Sequence, residues 1–119
     1  MNTSEIATRL VALCRKGDWK TAQNELFASD AVSREQEASP AFPQETHGLA
    51  AIVAKGEKWE AMVDQMHGLV VSDPVVADSS FACTMTLDVT MKGQPRMKMT
   101  ELCVYRVKDG KITSESFFY

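Results

Sequence analysis

The sequence lacks the features that would place it in a membrane, on nucleic acid or around a metal ion. No stretch approaches the roughly 18 consecutive apolar residues of a membrane helix. The N-terminus, MNTSEIATRLVALCRKGDW, carries acidic Glu5 and no apolar run of the kind a signal peptide needs, which points to the cytoplasm. Lys and Arg number 13 against 16 Asp and Glu, a net charge of -3, and their spacing supplies no basic face for phosphates. Nucleic acid is therefore excluded as a partner. Cys14, Cys83 and Cys103 form no CxxC pair and leave one thiol over in any disulfide scheme, so reduced cysteines in a reducing compartment are expected. HExxH is absent and no His, Cys, Asp or Glu cluster has ligand spacing, so no metal is predicted. There is likewise no GxSxG elbow, glycine-rich phosphate loop or dinucleotide fingerprint, which leaves no cofactor to expect.

What remains reads as one α+β domain. Asn2 and Glu5 stand at capping-box spacing before Ile6, Leu10, Leu13 and Cys14, which predicts a helix over 3–15. Gly17 breaks it. Trp19, Ala22, Leu26 and Phe27 then predict a short second helix ending before Ser29-Asp30. Residues 31–46, with Pro40 and Pro43, read as a loop with room for one short strand. Leu49, Ile52, Val53, Gly56, Trp59, Val63 and Met66 trace one face of a third helix over 48–65, and Gly56 on that stripe suggests the close approach of another backbone.

Everything after Met66 reads as strand. Phe81, Cys83, Met85, Leu87, Val89 and Met91 alternate with polar neighbours, Lys92-Gly93-Gln94-Pro95 turns the chain, 96–107 form the next strand, and Lys108-Asp109-Gly110 turns into a last strand over 111–119. The register of that final hairpin decides which side chains share a face. A three-residue loop with Gly110 in a left-handed bulge pairs Val107 with Lys111 and sets Glu101 opposite Phe117, Cys103 opposite Glu115 and Met99 opposite Tyr119. A two-residue loop pairs Val107 with Ile112 and separates Glu101 from Glu115. The first is the expected register, with Leu102, Val104 and Ile112 on the outer side.

Helix, helix, loop and helix before a long meander ending in ELCVYRVKDGKITSESFFY resembles the NTF2-like superfamily, and within it the SnoaL-like proteins. GLAAIVAKGEKW over 48–59 and Phe81 with its strand fit as well, so the resemblance spans the chain. It implies a cone-shaped barrel, with three N-terminal helices packed on a curved antiparallel sheet around an interior pocket, assembled as a homodimer through the sheet. It also implies isomerase, cyclase or hydratase chemistry as reaction types, although the fold by itself specifies none.

Glu101 interrupts an apolar face made by Met97, Met99, Cys103 and Tyr105, where desolvation would raise its pKa into the range of a general acid or base. Its structural alternative is an outward side chain, or an anchor tied to backbone or to Arg96. Glu115 across the hairpin would push the two pKa values apart if both face inward, and would otherwise be a rim charge. His67, where the third helix gives way to strand, could exchange protons near neutral pH or serve as a hydrogen-bonded structural group. Trp59 could stack on a flat ligand and Tyr119 could donate a hydrogen bond; Met99, Cys103 and Phe117 would line the pocket, and Glu35 in the long loop would contact ligand at its mouth. Two functional classes follow. One is cofactor-free acid/base catalysis on a small apolar or aromatic molecule, with Glu101 or Glu115 moving the proton and His67 or Tyr119 stabilising an oxyanion. The other is a non-catalytic ligand-binding or dimeric interaction module.

Overall fold

The computed structural model describes all residues, 1–119. Helix α1 (Thr3–Arg15) opens on the expected capping box: Glu5 N donates to Asn2 Oδ1 at 2.9 Å and Asn2 N to Glu5 Oε1 at 2.9 Å. Its Ile6, Ala7, Leu10 and Val11 are buried, because the 3.6-residue period carries them all onto one face. Helix α2 (Trp19–Leu26) follows after Gly17, which takes a φ of +73°. Strand β1 (Phe27–Arg34) then begins at once, so Phe27 closes no helical stripe; it starts a strand. The expected loop over 31–46 therefore holds the end of β1 and a second short strand, β2 (Glu45–His47).

Helix α3 (Leu49–Ala61) stops four residues before the expected 65, because Val63 already belongs to β3 (Val63–Val71). The space beside Gly56 is taken by the Gln23 side chain, 3.7 Å from where a Cβ would sit, and not by a backbone. A two-residue β4 (Val75–Val76) leads to the three long strands β5 (Ser80–Met91), β6 (Arg96–Lys108) and β7 (Lys111–Phe118).

The strands form one curved sheet in the order β2-β1-β7-β6-β5-β3, with β4 also paired to β5. Two expectations are corrected here. The sheet is mixed, since β1 lies parallel to β7 with Ser33 beside Glu115. It is also open, with β2 and β3 as its edges, so the cone is not closed by strand pairing. The three helices cover the inner face instead, and the buried side chains of α1 join Phe81, Cys83, Met85 and Leu87 of β5 in one apolar core.

The β6–β7 hairpin corrects the expected register and explains why the faces still come out right. Asp109 (φ 53°) and Gly110 (φ 75°) both take left-handed conformations, which makes a two-residue turn and pairs Val107 with Ile112. A bulge follows at once: Val107 pairs with Ile112 but Arg106 with Ser114, so Thr113 is the extra residue. Beyond it Tyr105 faces Glu115 and Cys103 faces Phe117. This register is displaced by two residues from the expected one, and side chains alternate with a period of two, so the same side chains share the inner face. Ile112 is the exception. Expected outside, it is fully buried, because the two-residue turn places it opposite inward Val107.

Candidate functional site

A cavity of about 200 Å³ lies between the three helices and the inner face of the sheet. Its walls are mostly apolar: Leu10, Ile52, Met85, Leu87, Met99 and Phe117 contribute, and Trp19 and Trp59 meet edge to face at 5.8 Å. Five polar or charged side chains with strong hydrogen-bonding groups open into it apart from Tyr105, namely Gln23, Glu35, Lys55, Glu101 and Glu115.

The carboxyls reach the cavity for different local reasons. Glu101 is on β6 opposite Met85, in the inward row that contains Met99, Cys103 and Tyr105. Its only hydrogen-bond partner is the Cys103 thiol, which donates weakly to Oε1 at 3.7 Å. The anchor considered from sequence is absent, because Arg96 is engaged on Asp88 through two bonds of 2.9 and 2.8 Å. Glu115 is 5% exposed, and Ser33, its neighbour on the parallel strand β1, donates to Oε2 at 2.9 Å. It is an interior group and not a rim charge.

Lys55 ties this arrangement together. It rises from α3 between the sheet and the loop after β1, donates from Nζ to Ser33 Oγ at 3.0 Å, and pairs with Glu35 Oε1 at 2.9 Å, with both ion-pair side chains largely buried. The ammonium also sits 5.5 Å from the Phe117 ring centre. Glu35 in turn accepts from the Tyr119 hydroxyl at 3.2 Å, and the Tyr119 backbone N–H donates to Gln36 Oε1 at 2.6 Å, which fastens the C-terminus to the loop.

Electrostatics follow from burial. Desolvation, and then the charge of Glu35, push Glu101 up to about 7 against the weaker opposing pull of its Cys103 bond and Lys55. Glu115 is likewise pushed up to about 7 by desolvation, opposed by the Ser33 hydrogen bond and the Lys55 charge. Two carboxyls are thus pushed up to about 7 inside one apolar cavity, and the nearby Glu35 and Glu101 charges add to the rise at Glu115. Tyr105 is held well above its ordinary value, mainly by burial, so its phenol keeps its proton. A bond shared with the Cys83 thiol, followed by burial, raises Cys103, which disfavours a thiolate there.

The cavity brings together six of the residues expected at the site: Glu101, Glu115, Glu35, Trp59, Met99 and Phe117. The other three lie off its wall. Cys103 is fully buried behind it, and Tyr119 is exposed at the C-terminus. His67 is the extra residue of a bulge in β3, between the pairs Met66 with Val89 and Gly68 with Asp88; its Nε2 lies 2.7 Å from Thr90 Oγ1, away from the cavity. Sequence reading missed Ser33, Lys55, Gln23 and the hydroxyl of Tyr105. Lys55 had a signal, as the one cation close to the apolar stripe of Ile52, Gly56 and Trp59. Ser33 had none, because its strand was read as loop. No three His, Cys, Asp or Glu side chains converge as metal ligands, and no helix is long and apolar enough to cross a membrane.

A family model described as SnoaL-like domain matches residues 1–119. Among solved structures, a Mesorhizobium loti protein described as a SnoaL-like polyketide cyclase (carbohydrate phosphatase) superposes with a TM-score of 0.93 at 35% identity, covering 100% of both chains. A Xanthomonas campestris protein of unknown function with a cystatin-like fold gives 0.81 at 19% identity, over 99% of this chain and 90% of that one. An NTF2-like protein of unknown function from Burkholderia pseudomallei gives 0.81 at 15%, over 100% and 92%. The last two establish likeness of fold alone. No curated protein matches the chain.

Proposed function

The chain belongs to the SnoaL-like domain family, and on that premise we propose that it is a cofactor-free acid/base catalyst of the isomerase, cyclase or hydratase type, acting on a small, mostly apolar molecule held in the cavity. The observation that carries this reading is Glu101. A carboxyl on an apolar cavity wall, with a thiol as its only partner, has its oxygens free for a ligand. A structural carboxylate would be expected to hold stronger partners. Its pKa of about 7 suits both removing and returning a proton at neutral pH. In the proposed step a ligand C–H bond breaks, its proton passes to Glu101, the electron pair moves onto a conjugated oxygen of the ligand, and the proton returns at the same or another carbon. Glu115, fixed by Ser33, whose Oγ in turn accepts from Lys55, keeps a second proton in the cavity, and the Lys55–Glu35 pair limits the negative charge that the site accumulates. The sequence relative from Mesorhizobium loti, named as a polyketide cyclase, supports an enolisable substrate.

Exchange of carbon-bound hydrogen tests the reading. Protein in D2O with 2-tetralone and larger ring ketones, followed by proton NMR, is expected to exchange α-hydrogens faster than buffer, and Glu101→Gln is expected to slow that exchange on the order of 100-fold. Ketones that bind without accelerated exchange would instead favour a binding module.

We also propose a homodimer through the outer face of the sheet. Leu102 and Phe118 face each other across β6 and β7 there and are 42% and 48% exposed, beside the hydrogen-bonded Thr86 and Thr100 pair. Sedimentation equilibrium at micromolar protein is expected to give the dimer mass; a monomer throughout would remove the proposal. The three buried thiols and the odd cysteine count support the cytoplasm as location.

A further inference from the structure

Cys83 on β5 and Cys103 on β6 stand directly opposite each other, 3% and 0% exposed, with both side chains in the core on the inner face. Both thiols are free and share a hydrogen bond. Directly opposed residues of antiparallel strands hold their Cβ atoms about 4.5–5.5 Å apart, and a disulfide spans about 3.5–4.5 Å, so closing one here asks the strands to draw together by roughly 1 Å. Cys14, the third thiol, approaches Cys83 from helix α1, and a bond to it has to bridge two layers of the fold. The pair also has a polarity. Their shared bond holds the Cys83 thiol below its ordinary value, whereas the same bond and burial push Cys103 up, so Cys83 is the sulfur that ionises and attacks. Cys103 in turn donates to Glu101 Oε1 at 3.7 Å, the one hydrogen bond that this cavity carboxyl makes.

We propose that Cys83 and Cys103 form a reversible redox pair: a peroxide oxidises them to a cross-strand disulfide, which withdraws the Cys103 thiol from Glu101 and so regulates the cavity. The Cys83 thiolate attacks one peroxide oxygen, the O–O bond breaks, and the other oxygen leaves as hydroxide. The Cys103 sulfur then attacks the Cys83 sulfenic acid at sulfur and displaces a second hydroxide. Both hydroxides take up the protons that the thiols release, so two thiols and one peroxide become one disulfide and two waters, with sulfur oxidised and peroxide oxygen reduced. A peroxide is little larger than water and reaches the sulfurs through the cavity, which Cys14 and Glu101 both line. A transient bond of this kind suits a reducing compartment, where disulfides serve as sensors more than as staples. Its effect on Glu101 has a definite sign. The Cys103 bond opposes the desolvation that pushes Glu101 up to about 7, while Glu35 and Lys55 bear on the carboxyl in either redox state. Losing the thiol raises Glu101 further, so the oxidised protein holds that proton more tightly and removes a ligand proton more slowly at neutral pH. This last step rests on the reading of Glu101 as proton carrier; the disulfide does not.

The test treats the protein with hydrogen peroxide at neutral pH, unfolds it in denaturant with iodoacetamide and digests it without reductant. Peptides joined through Cys83 and Cys103 are expected, with Cys14 as the one alkylated thiol, and dithiothreitol is expected to restore all three thiols. Carbon-13 titration of the oxidised protein is expected to place the Glu101 midpoint about half a pH unit above that of the reduced protein. Cys83→Ala, which keeps Cys103 beside Glu101 but removes its partner sulfur, is expected to show no such rise after peroxide. Three thiols still open to alkylation, a joint through Cys14, or cysteines carried past the disulfide to sulfinic acid would each overturn the pair. Joined peptides with an unmoved Glu101 midpoint would overturn the regulation. If ring ketones do not exchange in the reduced protein, the acid/base reading falls while the peptide map still decides the disulfide.

Discussion

Glu115→Gln is expected to stabilise the protein near pH 8 on the order of 2 kcal/mol and to change little near pH 4. Glu115 is 5% exposed and its carboxyl is pushed up from an ordinary 4.5 to about 7, chiefly by desolvation. A raised carboxyl pKa means that the folded state holds the proton more tightly than the unfolded chain does. Between pH 4.5 and about 7 the folded state therefore binds more protons, and stability falls as pH rises through that window. Below it both states are protonated and there is no cost; above it both are ionised and the full cost is present. Glutamine keeps an oxygen that can accept the Ser33 hydroxyl proton and carries no charge, so it removes one of the two titration steps. Thermal unfolding of wild type and variant from pH 4 to 8 checks this. A parallel pair of curves, with Glu115→Gln less stable at every pH, would mean that Glu115 is ionised and well compensated in the folded state.

The architecture was largely legible because it rests on periodic patterns. Asn2, Glu5 and the Ile6 to Cys14 stripe define α1, and Phe81 to Met91 declare an inner face that is buried as expected through Val89. The region from Phe27 to His47 was not legible. Phe27 extends the apolar spacing of α2 closely enough to hide a strand start, and the pairing of β1 with β7 joins residues about 80 positions apart, which no local pattern records.

The site was legible for a related reason. The final hairpin turns over two residues and then bulges at Thr113, and the two departures together shift the pairing by two. Parity survives that shift, so Glu101, Cys103, Glu115 and Phe117 share one face although their expected partners were displaced. Ile112, between turn and bulge, is the residue for which the displacement mattered. His67 also lies at a bulge, and there the extra residue turns the ring away to Thr90. Bulges depend on backbone geometry that side-chain alternation does not encode. Lys55 and Ser33 eluded sequence reading because their meeting depends on β1 lying beside β7 and under α3, which is tertiary information.

The second large effect is the titration of Glu101 itself, which bears directly on whether a desolvated proton carrier faces the cavity. Carbon-13 NMR of protein labelled at the glutamate side-chain carboxyl, with Glu101→Gln to assign the resonance, gives its midpoint in the absence of ligand. Burial in an apolar wall, a neighbouring Glu35 and only a thiol for a partner predict a midpoint of about 7, well above the ordinary 4.5. A Glu101 resonance that titrates near 4.5 would contradict the account, because a solvated or well-paired carboxylate at this position would have neither the proton affinity nor the free oxygens that the proposed chemistry requires.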